Sequence, residues 1–203
     1  MSDTKGTVFI VDDDEAVRDS LCFLLKTVNL DAQTFPSGDD FLAGYDEEMN
    51  GCVLLDIRMP GTSGLEVQKK LQELSCKLPI IFITGHGDVP MAVEAMQSGA
   101  FDFIQKPFRD QDLLDRIYQA LEAHQAEEEN ANKQREFEKL YQSLTPREQE
   151  VMEFVVKGAA NKVIAIDLGV SQRTVEIHRA RVMEKMQARS LAELVRMSMQ
   201  LES

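Results

Sequence analysis

The sequence is poor in the residues that would make it a disulfide scaffold, a zinc protein or a membrane protein. Its 203 residues hold three cysteines, Cys22, Cys52 and Cys76, at spacings that fit neither a disulfide framework nor a zinc site. They read as small apolar residues in a reducing compartment, so a cytoplasmic protein is expected. Long hydrophobic runs are missing as well: Val8-Phe9-Ile10-Val11 and Ile80-Ile81-Phe82-Ile83 fall far short of the ~20 residues of a membrane span. Residues 1–6 carry no apolar stretch of the kind a signal peptide needs, and none is expected. Proline is absent from 108 to 145 and glycine from 100 to 157, which removes the usual helix breakers from the middle of the chain.

What is present is acidic, but unevenly so. The net charge of −13 argues against a nucleic-acid partner until it is divided along the chain. Residues 1–124 carry 10 Lys and Arg against 22 Asp and Glu, whereas 143–203 carry 9 against 8. Within 172–189 there are five basic residues and two acidic ones. An acidic body with a locally basic helix in a separate tail is a two-part protein.

The first part alternates strand-like runs (7–11, 31–35, 51–55, 79–83, 101–104) with amphipathic stretches (15–28, 37–44, 64–74, 90–98, 110–123). Repeated strand-then-helix units with short connections predict an α/β, doubly wound five-stranded parallel sheet, helices on both faces. The stretch 124–142 is rich in Ala, Glu, Gln and Lys and reads either as a helical linker or as a flexible polar tether. From Ser143 the pattern is all-helical, over 146–157, 161–168, 172–188 and 190–200. Gly169 ends one helix and Ser171 caps the next, the signature of a helix-turn-helix. The organisation expected is 1–123, a linker 124–142, and 143–203.

Ligands of a doubly wound sheet bind beyond the carboxyl ends of its strands. There the chain offers Asp12-Asp13-Asp14, Asp56, Thr84 and Lys106-Pro107. Three carboxylates gathered at about 4 Å would repel by roughly 4 kcal/mol per pair at an effective dielectric of 20, so a cation has to offset them. An all-oxygen set suits Mg²⁺, with Mn²⁺ as the alternative, and excludes zinc. A divalent ion, a lysine and a hydroxyl around one carboxylate form a phosphoryl-transfer environment in which Asp56 can be the nucleophile.

These residues resemble the receiver domain of bacterial response regulators. The matching runs are Val11-Asp12-Asp13, Leu55-Asp56-Ile57-Arg58-Met59-Pro60-Gly61, Ile83-Thr84-Gly85 and Lys106-Pro107-Phe108. The resemblance implies a flavodoxin-like fold over 1–123, with Asp56 as phosphoacceptor, Thr84 as switch hydroxyl, Phe103 as switch aromatic and Lys106 as the site's cation. It further implies Mg²⁺ on Asp13, Asp56 and the backbone carbonyl of Arg58, with Asp12 acting through water, and a cis Lys106-Pro107 bond. Arg58 and His86 would line the path of hydrolytic water. A phosphatase of the haloacid dehalogenase kind also uses an aspartate nucleophile with Mg²⁺, and Asp12-x-Asp14 imitates its opening motif. Ala16 and Ala92 stand where that motif needs other residues.

The helix 172–188 carries one apolar stripe, Val175, Val182 and Met186 with His178. Opposite lie Arg173, Glu176, Ile177, Ala180, Arg181 and Glu184. An exposed Ile177 is out of place on a plain four-helix interaction bundle, the bland alternative. The segment resembles the LuxR-type DNA-binding domain through Thr145-x-Arg147-Glu148-x-Glu150-Val151, Asn161-Lys162-x-Ile164-Ala165 and Ser171-x-x-Thr174-Val175-x-x-His178-x-x-x-Val182-x-x-Lys185-Met186. Together the two halves resemble the FixJ branch of the NarL/FixJ family. In the docking geometry of such motifs, Lys162, Arg173, Thr174, Arg179, Arg181 and Lys185 are expected on phosphates, and Glu176, Ile177 and Ala180 on base edges. His178, Met197 and Met199 are expected to pack inside.

The function implied is a two-component transcriptional regulator and not an enzyme, beyond self-dephosphorylation at most. Its expected partners are a sensor histidine kinase, promoter DNA with paired half-sites, RNA polymerase, and a second copy of the chain on phosphorylation. A receiver that binds partners without phosphorylation is the competing reading. Lys106 and Asp13 would then have no use.

Overall fold

The computed structural model describes residues 6–85 and 89–199. Contacts divide the chain into two units, Met1–Glu127 and Glu128–Ser203.

The first unit is a five-stranded parallel sheet. Strands β1 (Thr7–Val11), β2 (Asp31–Phe35), β3 (Gly51–Asp56), β4 (Ile80–Thr84) and β5 (Asp102–Gln105) lie in the order β2-β1-β3-β4-β5. Helices α1 (Glu15–Thr27), α2 (Gly38–Gly44), α3 (Gly64–Glu73), α4 (Val89–Gln97) and α5 (Asp110–Gln142) follow the strands in turn. Central strands covered on both faces have to be apolar at every position, and all of β3 and β4 is buried. Edge strand β2 buries only Phe35. Two apolar clusters lie on the two faces of the sheet, one around Ile10, Leu54, Ile81 and Leu113, the other around Phe41, Leu55, Val67 and Phe82. The cysteines are all free; Cys52 is buried, and Cys22 and Cys76 are partly so.

Helices α1, α2 and α3 each start on a recognisable cap. Asp14 accepts from the Ala16 N–H at 2.9 Å to open α1, and Ser37 accepts from Asp40 to open α2. Ser63 and Glu66 close a reciprocal capping box on α3. β3 runs one residue further than its apolar run, and β4 is displaced by one. Asp56 and Thr84 are therefore the last residues of their strands.

The second unit is helical: the last part of α5, then α6 (Pro146–Val156), α7 (Asn161–Asp167), α8 (Gln172–Lys185) and α9 (Leu191–Ser198). Residues 124–142 are helical throughout. The unit starts earlier than 143 because Phe137, Leu140 and Tyr141 pack with Val151, Ile164, Val175, Val182 and Leu194, and Phe137 stacks on Tyr141. Gly169 takes φ +66° after α7, a left-handed conformation that glycine adopts at little cost, and Ser171 caps α8 by accepting from the Thr174 N–H at 3.1 Å. Met197 is partly buried as expected. Met199, at the exposed end of α9, is 64% exposed and is not core filler. Among the described residues no helix is long and apolar enough to cross a membrane.

Candidate functional site

A sheet of this strand order has its topological switch between β1 and β3, where a crevice opens at the carboxyl ends. Asp12 follows β1 and Asp56 ends β3, so the two carboxylates face each other across that crevice. Lys106, just beyond β5, reaches back to both. Its Nζ donates to Asp12 Oδ2 and to Asp56 Oδ1, each at 2.9 Å. The Lys106 backbone N–H donates to the Thr84 carbonyl at 2.7 Å, and Lys106-Pro107 is cis. Both carboxylates are nearly out of solvent: Asp12 is 2% exposed and Asp56 8%.

The remaining oxygens are also occupied. Asp56 Oδ2 accepts from the Arg58 N–H at 2.7 Å, and Asp12 Oδ1 from the Asp14 N–H at 2.9 Å. Burial pushes the Asp56 carboxyl above its ordinary range, against the pull of the Lys106 hydrogen bond and charge, and Asp12 adds to the rise. Burial acts to lower the Lys106 ammonium, but its hydrogen bonds to Asp56 and Asp12 outweigh that and hold it above its usual value. One cation thus stands between two buried carboxylates.

Asp13 is exposed, one residue from Asp12. Among the described residues no three carboxylate, imidazole or thiol groups converge closely enough to hold a metal ion as they stand. This differs from the expected trio of gathered carboxylates, and charge is the reason. A single lysine offsets two carboxylates, and a third drawn in without further positive charge would be repelled. Chemically the donors remain all-oxygen, as a hard divalent ion requires. Thr84 is buried at 3% exposed, its hydroxyl 3.4 Å from the Gly85 carbonyl, and Phe103 is half-buried against the cluster that holds Leu55 and Phe82. His86 lies outside the described residues.

Two supporting residues escaped the sequence reading. Arg18 of α1 donates from Nη1 to the Asp12 carbonyl at 2.7 Å, fixing the loop after β1. Its signal was available, since Arg18 stands one helical turn beyond the cap. Gly64 opens α3 directly under the Asp56 loop: its N–H donates to the Ile57 carbonyl at 3.0 Å, and a Cβ there would lie 2.3 Å from the Asp56 carbonyl. Only glycine fits that approach.

In the second unit α8 buries Val175, Val182 and Met186 and leaves Arg173, Glu176, Ile177, Ala180, Arg181 and Glu184 exposed. Lys162, on α7, is exposed too. His178 is half-buried, with Nδ1 out of solvent. Thr174 pairs its hydroxyl with Ser171 at 2.8 Å, Arg173 reaches Glu176 at 3.4 Å, and Arg179 donates to Asn161 Oδ1 at 2.8 Å. Lys185 departs from its expected role. Its ammonium turns inward, 2.6 Å from the buried Glu148 and 3.1 Å from the Ser143 carbonyl, because Glu148 is a capping-box acid with no water to face. That Lys185 hydrogen bond, with the Thr145 N–H next, pulls Glu148 down to about 2.

Comparison with known proteins agrees with both halves. Residues 8–118 match the response regulator receiver domain, and 142–198 match the bacterial regulatory proteins of the luxR family. The chain belongs to the NarL/FixJ-type response regulators, two-component proteins with a receiver and a LuxR-type DNA-binding domain. It is 45% identical over 202 residues to the response regulator protein TmoT of Ectopseudomonas mendocina, covering 100% of this chain and 92% of that one. With the transcriptional regulatory protein FixJ of Rhizobium meliloti it shares 47% over 196 residues, 97% and 96% of the two chains. Among solved structures it is similar to response regulator StyR (44% identical, TM-score 0.87, 97% and 99% covered) and to full-length FixJ from B. japonicum (42%, 0.61, 98% and 98%). Proteins of this family are transcriptional regulators; they typically take phosphate from a histidine kinase and bind DNA.

Proposed function

We propose that Asp56 accepts a phosphoryl group from a sensor histidine kinase in the cytoplasm, and that the phosphorylated protein dimerises to bind paired half-sites in promoter DNA. The observation that carries this reading is the Lys106 ammonium held 2.9 Å from both Asp12 and Asp56 at the switch point of the sheet. An oxygen of Asp56 attacks phosphorus as the bond to the kinase imidazole breaks; the imidazole nitrogen keeps the electron pair and takes up a proton. Lys106 and the Arg58 N–H keep the Asp56 carboxylate oriented for that attack. The donors that would hold Mg²⁺ are Asp13, Asp56 and the Arg58 carbonyl, with Asp12 through water, and the ion would neutralise charge on the transferring phosphoryl oxygens. Mn²⁺ would serve the same donors.

Thr84 would follow the phosphoryl oxygens, and Phe103 would turn inward after it, reshaping the face made by α4, β5 and the start of α5. That face exposes Val93 and Met96, apolar surface a second copy could cover. Hydrolysis of the acyl phosphate would be the protein's own reaction, with Arg58 and His86 the candidates for controlling it. On DNA, α8 would enter the major groove, with Glu176, Ile177 and Ala180 at base edges and Arg173, Thr174, Arg179, Arg181 and Lys162 at phosphates. Lys185 is left out of that set, since its charge is already engaged. RNA polymerase would be the partner of the DNA-bound form. Intact-protein mass after acetyl phosphate with Mg²⁺, followed by DNA selection with the product, tests the whole sequence; a mass unchanged by phosphorylating conditions would falsify it at its first step.

A further inference from the structure

Helix α3 is fixed at its start to the Asp56 loop and, from its middle to its last turn, to the end of α4. At the near end, Gly64 of α3 packs against the backbone of Asp56 and Ile57 and donates to the Ile57 carbonyl at 3.0 Å. Along its length, Val67 and Leu71 are buried in the cluster that contains Leu55, Ile57, Ala95 and Ala100. Midway along it, one turn after Gly64, stands Gln68, buried at 2% exposed.

Gln68 spends its amide on the last turn of α4. Its Nε2 donates to the Ala95 carbonyl at 3.1 Å and to the Ser98 carbonyl at 2.9 Å. Gln72, one turn on, donates to the same Ser98 oxygen. The carbonyls at a helix C-terminus lack helical partners, so these amides complete the end of α4 where Gly99, at φ +78°, turns the chain toward β5. Ala95 already accepts from the Ala100 N–H at 3.0 Å, and Gln68 adds a second bond from another element. A ten-residue α3 spans about 15 Å. Its attachments to α4 begin one turn beyond Gly64, at Gln68, and end at Gln72, and the buried Val67 and Leu71 stiffen the helix across them.

We propose that α3 is a strut: it transmits displacement between the Asp56 loop, gripped through Gly64, and the α4–β5 junction, gripped through Gln68 and Gln72. This runs beside any motion of Thr84 and Phe103 and uses neither. It bears on signalling only through the reading of Asp56 given above, but the connection itself is a property of the unmodified chain. Coupling of this kind is reciprocal. Loosening the α4 end must therefore be felt at the Asp56 loop, which Gln68 does not touch.

The test is hydrogen exchange by mass spectrometry on the full, unphosphorylated chain carrying Gln68→Met, which keeps volume and helix propensity and removes both donors. Amides over 96–101 should exchange about tenfold faster, as loss of two hydrogen bonds predicts, and those over 57–62 should also speed up by a factor of about two to three. Strands β1 and β2 serve as the reference and should not change. Gln72→Met, at an exposed position, should give the same pattern more weakly, so the outcome does not depend on how well the Gln68 variant folds. Faster exchange confined to 96–101 in both variants would overturn the strut and leave Gln68 a local cap. Because no phosphate is used, failure here and failure of Asp56 to accept phosphate are separate results.

Discussion

Each half of this protein buries an acid against a lysine, and the two surroundings move their acids in opposite directions. In the receiver, Lys106 is shared 2.9 Å from Asp12 and 2.9 Å from Asp56, and burial leaves Asp56 easier to protonate than a free carboxylate. In the C-terminal unit, Lys185 lies 2.6 Å from Glu148, which also accepts the Thr145 N–H at 2.8 Å and is pulled down to about 2. One lysine serves two like charges; the other serves one acid, whose Oε2 also accepts the Thr145 N–H. The first arrangement divides one positive charge between two acids at the sheet's switch point. The second pairs one charge with one and fastens α6 to the end of α8.

The comparison predicts effects of opposite kinds, the largest on chemistry. Asp56→Asn should abolish phosphate uptake from acetyl phosphate, read by intact mass, because an amide is a poor nucleophile. Its fold should survive. Conversely, Glu148→Gln should leave phosphate uptake intact while costing about 2–3 kcal/mol of C-terminal stability, the scale of a charge-assisted hydrogen bond lost in a buried place. Slowed-exchange amides of α6 and α8 would report that loss. Were Asp12→Asn, without added metal, to destabilise the receiver as much as Glu148→Gln destabilises its own unit, the contrast would fail; we expect it to be neutral or to stabilise by up to about 1 kcal/mol, since it removes one of two like charges from a shared cation.

Acid sharpens the same contrast. Glu148 has a folded value of about 2 against about 4.3 for an ordinary glutamate. The folded state therefore binds fewer protons than the unfolded state between those values, and stability rises with pH across that window. The contribution of Glu148 should be complete above about pH 5 and should fade as pH falls toward 2. Urea unfolding followed at α6 over that range checks it, and Glu148→Gln should flatten the dependence. The smallest effects concern DNA. Arg181→Ala should weaken binding uniformly and lower the salt slope by about 1, whereas Lys185→Ala should leave the slope unchanged and lower stability. Glu176→Ala should alter which sequences are selected.

How much of this could be read without coordinates follows the range of the signal. Strand and helix limits depend on neighbours in sequence, and β1, β2 and α2 begin or end within a residue of expectation. Asp12, Asp56, Thr84 and Lys106 were legible because the doubly wound order sends every strand's carboxyl end to one edge. Gln68 was not: its partners are 27 and 30 residues away, and a glutamine on a helix gives no sign that it is turned inward. Lys185 misled for a related reason. Its spacing suits a phosphate contact, and only the position of Glu148, 37 residues earlier, takes it out of that role. Residues 124–136 have almost nothing to bury, so sequence gives no sign that Phe137, Leu140 and Tyr141, just after them, pack with the second unit.

One detail of the receiver bears on how two copies could recognise each other. Arg116 is bound to Asp102 within the chain, and Arg109 is bound twice to Asp112. A two-fold contact across this face would have to trade each internal ion pair for an equivalent one between chains. Such a swap conserves the number of ion pairs and so has little net electrostatic drive; its worth lies in register, since only one alignment restores every pair. Free energy for association would come from covering Val93 and Met96, the exposed apolar residues of α4. Salt should therefore disturb the fidelity of such a dimer more than its strength.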